Sequence, residues 1–524
     1  MNARLIPNTQ RAVQLTGPDC LRLNKEKPVP RPGPYQVLAR IEVTGLCFSD
    51  LKLLKQFNAH PRKSDVIAHL DANTLAEVPS YVPNDQPTIP GHETVVRIVE
   101  TGDQVSGIQP GERYLVQTDY RWLKTAQSNA AFGYNFEGAL QEFVLLDQRV
   151  ITSPDGDSML IPASDHLAAS SVALVEPWAC VEDSYVVQER RAPLPNRRST
   201  TIHSSRTTLS EVRALPDESL DDILFLGANP DLLEAVFPKL AAGGLINIVQ
   251  QEQRFGRDVQ TPVGRIHYGG IRITGTPDCI TDDGYAAIPR RCDISVGDTI
   301  NVIGAAGPMG TMHVIRNLCQ GVLGITLYAG DMSEARLSQL AKLAQPLADS
   351  HNLKFIPYQA GENAPDGPFN YIALMVPAAA LVEQAVQQAA PRAVINIFAG
   401  IPAEVTHPID LDTYIEKQAY FIGTSGSTIE DMKIVLRKVT EETLDTNLSV
   451  AAISGLEGAV DGIRAVESQA IPGKIIVYPT CRGLPLTRLE ELAEKLPVVG
   501  EKLVNGVWTR EAEAELLRTF NHED

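Results

Sequence analysis

Val296-Gly-Asp-Thr-Ile-Asn-Val-Ile-Gly-Ala-Ala-Gly-Pro-Met-Gly310 decides how the second half of this 524-residue chain folds. Ile300 to Ile303 is a short apolar strand. Gly304, Gly307, Pro308, Met309 and Gly310 follow it and open a helix. Glycines placed this way let backbone N–H groups approach a pyrophosphate at the positive end of the helix. The usual first glycine of GxGxxG falls at Ala305, so the loop departs slightly from the consensus. Asp331 closes the next strand, 21 residues beyond Gly310. A carboxylate there accepts hydrogen bonds from a ribose 2′-hydroxyl and repels a 2′-phosphate. The spacing therefore favours NAD. Arg336, a nearby receiver for a 2′-phosphate, keeps NADP as the alternative. Further apolar strands at Ile325–Ala329, Ile372–Val376 and Val394–Phe398 alternate with helical stretches, the rhythm of a doubly wound parallel sheet.

Upstream, to about residue 150, the pattern is β-rich. Val37, Ala39, Ile41 and Val43 alternate with Leu38, Arg40, Glu42 and Thr44, the period of a half-buried strand. A strand at Val95–Glu100, turns at Gly102-Asp103 and Gln109-Pro110-Gly111, and extended structure at Tyr114–Val116 suggest a barrel or sandwich. Ala168 to Tyr185 reads as a helix interrupted at Pro177. The tail, Leu484 to Phe520, carries helical signals, with Thr509 as a weak N-cap.

Between these parts stands a second strand–helix–strand pattern. Ile223-Leu-Phe-Leu, Leu232-Leu-Glu-Ala-Val and Ile246-Asn-Ile-Val match Ile372-Ala-Leu-Met, Leu381-Val-Glu-Gln-Ala and Ile395-Asn-Ile-Phe at a constant spacing of 149. Ile273-Thr-Gly-Thr matches Phe421-Ile-Gly-Thr at 148. Strand–helix–strand units resemble one another in general, but constant spacing favours a partial internal duplication. The expected organisation is an α/β chain with residues 1–190 as one β-rich domain, 191–298 as an inserted half lobe, 299–445 as the nucleotide-binding sheet, 446–480 as a return to the first domain and 481–524 as a helical extension.

Composition narrows the partners. Lys plus Arg is 46 against 64 for Asp plus Glu, a net charge of −18. That sign disfavours nucleic acid and anionic membranes, which need cations to displace their counterions. No apolar run is long enough to cross a bilayer, and the start lacks a signal peptide's apolar stretch. The seven cysteines are scattered and never CxxC, which suggests a reducing cytoplasm rather than a disulfide framework.

Cys47 stands where a strand ends, His92-Glu93 just before another, and Glu176 at the head of Glu-Pro-Trp-Ala-Cys180. Thiolate, imidazole and carboxylate are suitable zinc ligands. Their spacing alone does not form a metal motif, and packing roles stay open for each. His60-Pro61-Arg62-Lys63 is a cationic loop able to hold a phosphate or carboxylate, or equally a solvated loop.

The segments VTGLCFSD, PTIPGHE, VETGDQVSGIQPGERYLVQ, EGALQEFVLL, ALVEPWACVEDSY, VGDTINVIGAAGPMG and YAGDMSEARL together resemble the zinc-containing medium-chain dehydrogenase/reductases. The nearest branch is that of the polyol enzymes around sorbitol dehydrogenase, and SDLKLLKQ, HPRK, FGY and EPWAC are similar to L-sorbose 1-phosphate reductases. The resemblance implies a GroES-like β-barrel catalytic domain, a Rossmann domain and a catalytic zinc in the cleft between them. It places Cys47, His92 and Glu93 as ligands, with Glu176 ligating directly or through water. It gives Ser49 the proton relay and Asp50 the orientation of the ligand histidine. The implied reaction is zinc-assisted hydride transfer between NAD(P) and a secondary alcohol or ketone of a small polyol, sugar or sugar phosphate.

Three departures stand out. The stretch Gln117–Glu137 has no cysteine, so the family's structural zinc is not expected. Lys52 replaces a usual histidine. Residues from 191 on are an insertion without a glycine loop. In relatives the last Rossmann strand pairs with its copy across a two-fold axis. Here strand 271–276 is expected to pair with strand 420–424 within one chain, so that the insertion mimics a dimer partner; homo-oligomers through other surfaces stay open. The competing readings are a catalytically altered relative serving as a binding or assembly protein, and an NAD-using lyase or epimerase.

Overall fold

The computed structural model describes residues 6–424 and 426–520. The first five residues of the expected catalytic domain, Ser425 and the last four residues of the expected extension lie outside the described residues. The chain divides into two compact units, Met1–Ala179 with Thr428–Asp524, and Cys180–Ser427.

The first unit is built on an eight-stranded sheet that includes Gln36–Gly45, Glu93–Thr101, Arg113–Val116 and Leu160–Pro162, with Phe143–Asp147 pairing back onto Gln36–Gly45. Lys474–Val477 and Val450–Ser454 join it from the far end of the chain. The strand read from alternation is 36–45. Val37, Ala39 and Ile41 bury in one cluster with Val96, Val116 and Phe132. Leu38, on the opposite face, buries against Val29 and Leu145, so a position read as solvent-facing is covered too. Ile429 packs on the first of these clusters, which is why the unit resumes at 428 and not near 446.

The interruption expected at Pro177 lies elsewhere. Two helices, Ala169–Ala173 and Val175–Val186, meet at Leu174. Pro177 sits in the first turn of the second, where a missing N–H leaves no helical bond unmade.

The second unit holds two parallel sheets. The larger runs Lys354–Gln359, Thr326–Asp331, Thr299–Ile303, Phe369–Leu374, Ala389–Ile397, Tyr420–Ile422, the strand order 3-2-1-4-5-6 of a Rossmann fold. The smaller, in the insertion, runs Ser199–His203, Leu220–Leu226, Leu240–Val249, Arg272–Thr276. It reproduces the 1-4-5-6 part and lacks counterparts of Thr326–Asp331 and Lys354–Gln359. Residues soon after 180 belong here because Ser184 Oγ accepts from Asn396 Nδ2 at 3.0 Å and Tyr185 stacks on Tyr371. One hydrophobic core serves both sheets, combining Ile223, Phe225 and Ile248 with Ile372, Ile395 and Phe421.

Arg272–Thr276 and Tyr420–Ile422 are terminal strands of their sheets and lie side by side. Among the described residues no ladder joins them, so the continuous sheet expected through them is not formed. The Tyr414 hydroxyl stands between them, donating to Ile273 O at 2.8 Å and accepting from Phe421 N at 3.1 Å.

Candidate metal centre and nucleotide loop

Strand Gln36–Gly45 runs antiparallel to Glu93–Thr101 with Gly45 opposite Glu93. A Cβ at Gly45 would lie 2.1 Å from Glu93 Oε2, so a glycine is what admits that carboxylate. Cys47 then caps the helix Phe48–Gln56, and its N–H donates to Asp50 Oδ2 at 3.1 Å. The other Asp50 oxygen lies 3.0 Å from His92 Nδ1. A proton on Nδ1 is thereby fixed, and Nε2 is turned towards the sulfur. Ser49 Oγ lies 3.1 Å from His92 Nε2 and donates to Cys47 Sγ at 3.0 Å.

Ligand atoms of Cys47, His92 and Glu93 all lie within 4.8 Å of one another. Glu93 is fully buried. Its Oε1 accepts from Lys474 Nζ at 2.5 Å, whereas Oε2 has no hydrogen-bond partner. A buried carboxylate oxygen left bare beside a sulfur and a ring nitrogen costs free energy unless something cationic meets it. Sulfur, nitrogen and oxygen donors so grouped could hold a metal ion, and zinc accepts all three kinds. The residues fit the metal that the resemblance implies.

Charge around the cluster is balanced by neighbours. Burial disfavours the His92 imidazolium, but Asp50 outweighs it, and the ring is held well above its ordinary pKa. Burial likewise works against the Lys474 ammonium, and Glu93 and Cys47 more than restore it. Glu176, on the helix Val175–Val186, lies outside the three-residue cluster but shares its field. Burial, reinforced by Glu93 and opposed by His92 and Lys474, pushes it up to about 7. Lys474 escaped the sequence reading. Its one signal was a lysine opening the apolar strand Lys474–Val477.

The cationic loop does not present three charges to one point. Lys63 is fully buried, its ammonium spent on the carbonyls of Val82 and Gln86, and burial lowers it to about 8. His60 is buried against Tyr134, its Nδ1 accepts from Arg62 N, and burial with Arg62 and Lys52 lowers it to about 4. Only Arg62 keeps a partly exposed cation, which lies over the Tyr134 ring and pairs with Asp119 Oδ1 at 2.9 Å. The other face of the matter is proximity: the Tyr134 ring centroid is 5.9 Å from that of His92.

In the second unit, strand Thr299–Ile303 delivers Gly304 with φ +83°. Gly307 caps the helix Pro308–Cys319, with Pro308 at its first position and Met309 next. A Cβ at Gly310 would lie 2.2 Å from Gly304 O, which explains the last glycine as a packing need. Asp331 ends the neighbouring strand, nearly buried. Its Oδ1 accepts from Ser333 N at 3.0 Å and pairs with Arg336 Nη2 at 2.8 Å, and Oδ2 accepts from Ala306 N at 3.3 Å. The structure thus joins Asp331, Arg336 and the glycine loop.

The alcohol dehydrogenase GroES-like domain family matches residues 33–155. Over part of its length the chain is similar to alcohol and polyol dehydrogenases. It is 28% identical over 228 residues to the L-sorbose 1-phosphate reductase of Klebsiella pneumoniae, covering 41% of this chain and 54% of that protein. It is 27% identical over 253 residues to the uncharacterized protein YggP of Escherichia coli, covering 44% and 59%. The chain thus spans a little over half the length of these relatives. In fold, the chain is similar to 2R,3R-butanediol dehydrogenase from Bacillus subtilis, with a TM-score of 0.55 at 15% identity, covering 90% of this chain and 100% of that one. No helix among the described residues is long and apolar enough to cross a membrane.

Proposed function

We propose that this chain is a zinc-dependent oxidoreductase that transfers a hydride between NAD and a secondary alcohol or ketone of a polyol, sugar or sugar phosphate. The observation that carries the reading is the bare, buried Glu93 Oε2 beside Cys47 and His92, with Asp50 orienting the imidazole. Zinc bound by those three side chains supplies a Lewis acid for the substrate oxygen. Ser49 Oγ is the hydroxyl placed to take the alcohol proton and pass it on. Glu176, with its affinity for a proton near neutral pH, fits the through-water position. Arg62, partly exposed beside Tyr134, would be the donor to substrate hydroxyls. Gly304 and Gly307 would let the backbone approach the pyrophosphate, Gly310 would allow the close packing beneath that turn, and Asp331 would receive the ribose hydroxyls. The ion pair of Arg336 with Asp331 engages the cation that would otherwise attract a 2′-phosphate, which supports NAD over NADP.

The test combines metal analysis with coenzyme reduction over a panel of polyols and sugar phosphates, in wild type and Cys47→Ser. The expected result is one zinc per chain and NAD-linked turnover, with both lost in a folded serine variant. Two zincs per chain, or full activity after the substitution, overturns the reading.

A further inference from the structure

We propose that the insertion is a built-in copy of a Rossmann partner: it occupies, within the same chain, the self-complementary surface through which two such sheets would otherwise associate. The inference is independent of the catalytic reading. It rests on contacts that are reciprocal under the internal repeat.

In a two-fold interface, if one residue touches a second, the copy of the second touches the copy of the first. Three sets of contacts in the second unit behave this way. Val259–Thr261 pairs antiparallel with His407–Ile409, and Gln260 stands opposite Pro408. These positions are 148 apart, so the strand pairs with its own repeat, as only elements at a two-fold axis do. A Cβ on Gly275 would meet Ile248 O and the Ile415 side chain, and one on Gly423 would meet Ile397 O and His267. Gly275 and Gly423, Ile248 and Ile397, and His267 and Ile415 are all repeat mates at 148 or 149. Gly264 packs on Pro402 O and donates to Val405 O at 3.2 Å. Its mate, Asp412, accepts from Phe255 N at 3.0 Å and Gly256 N at 3.2 Å, one and two residues beyond the mate of Pro402.

The edges are tied by the same symmetry. Arg272 and Tyr420 are mates, and both bind one carboxylate: Glu189 lies 2.9 Å from Arg272 Nε and 2.9 Å from the Tyr420 hydroxyl. The hydrophobic core passes without a break from one sheet to the other, as in obligate interfaces. An edge strand left bare is a template for pairing with another chain. Here Tyr420–Ile422 is covered by covalently attached material, so the cover does not depend on protein concentration.

The alternative is an exchanged dimer, in which each insertion covers the sheet of another chain. Cysteine trapping separates the two. In Gln260→Cys with Pro408→Cys, the paired strands bring the two Cα atoms within the span of a disulfide. Because Pro408→Cys alters a strand, a second variant replaces the exposed ion pair Arg254–Glu416, 2.7 Å apart, by cysteines joined with a short thiol cross-linker. The expected product is a one-chain band on a non-reducing denaturing gel, with the joined peptides found by mass spectrometry after digestion. A covalently linked two-chain band overturns the proposal in favour of exchange. Failure of both variants to cross-link overturns the contact itself.

Discussion

Lys474 carries the sharpest consequence at the scale of single residues. Its ammonium holds Glu93 Oε1 and Leu46 O in a site where both partners are buried. Removing one partner of a buried pair typically costs about 3–5 kcal/mol, because the other charge is left uncompensated. Lys474→Met is therefore expected to lose stability of that order in metal-free protein, and less once zinc meets the same carboxylate. Denaturant unfolding with chelator and with added zinc measures both; an equal loss in the two conditions would mean that Glu93 does not face the metal. His313 offers a pH test away from the site. It is fully buried, its Nδ1 accepts from the Tyr185 hydroxyl at 2.8 Å, and burial with Arg316 lowers it to about 3. The unfolded ring titrates near the ordinary imidazole value of 6.5, so below that pH the unfolded state binds the proton that the folded state refuses. Its contribution to stability is full above pH 6.5 and is lost as pH falls towards 3. Across that window His313→Asn should flatten the pH dependence of unfolding by about 1.4 kcal/mol per pH unit; parallel curves for the two proteins would refute it. Residue type alone made Cys47, His92 and Glu93 candidate ligands, and only the resemblance grouped them into one site. Lys474 is 381 residues from Glu93, and no spacing rule spans that. Nor could sequence show that backbone carbonyls would absorb the Lys63 charge.

At the scale of elements, helix ends are completed from far along the chain. The helix Ala169–Ala173 begins at Ala168, which has no side chain able to cap it. Glu513, on the helix Arg510–Phe520, supplies the cap instead: its carboxylate accepts from Ala169 N at 2.5 Å, Ser170 N at 2.8 Å and Tyr478 OH at 2.9 Å. Negative charge at a helix N-terminus is favourable, and three donors satisfy it in a dry place. Glu513→Gln keeps the shape, removes the charge and turns an acceptor into a donor facing N–H groups. A loss of roughly 1–3 kcal/mol is expected in equilibrium unfolding; a change within a few tenths would show that the helix ends without it. The helix of the C-terminal extension was legible from Thr509, whose Oγ does accept from Ala512 N. Its purpose was not, because a glutamate on a helix surface reads as solvated until a partner helix is known. Short-range signals fared best. Alternation gave the strand at 36–45, and turn residues bounded 93–101 and 113–116, because burial there repeats within a few residues.

The whole molecule shows why duplication was readable and its joint was not. A repeat of apolar strands survives in sequence because each copy must fill the same core positions; Ile246 and Ile395 are both fully buried. Whether two terminal strands form a ladder depends instead on what stands between them, and a single tyrosine hydroxyl holds this pair apart. The same comparison of copies predicts cofactor stoichiometry. A dinucleotide needs the glycine turn after the first strand and the carboxylate after the second. In the insertion, Ser199–His203 is followed by Ser204, Ser205 and Arg206 in place of glycines, and no counterpart of the Asp331 strand exists. Only the larger sheet retains both features, so calorimetric titration with NADH is expected to give one site per chain. Asp331→Ala should weaken that site without revealing another. A second site of comparable affinity, persisting in that variant, would mean that the smaller sheet binds nucleotide by a route its sequence does not encode.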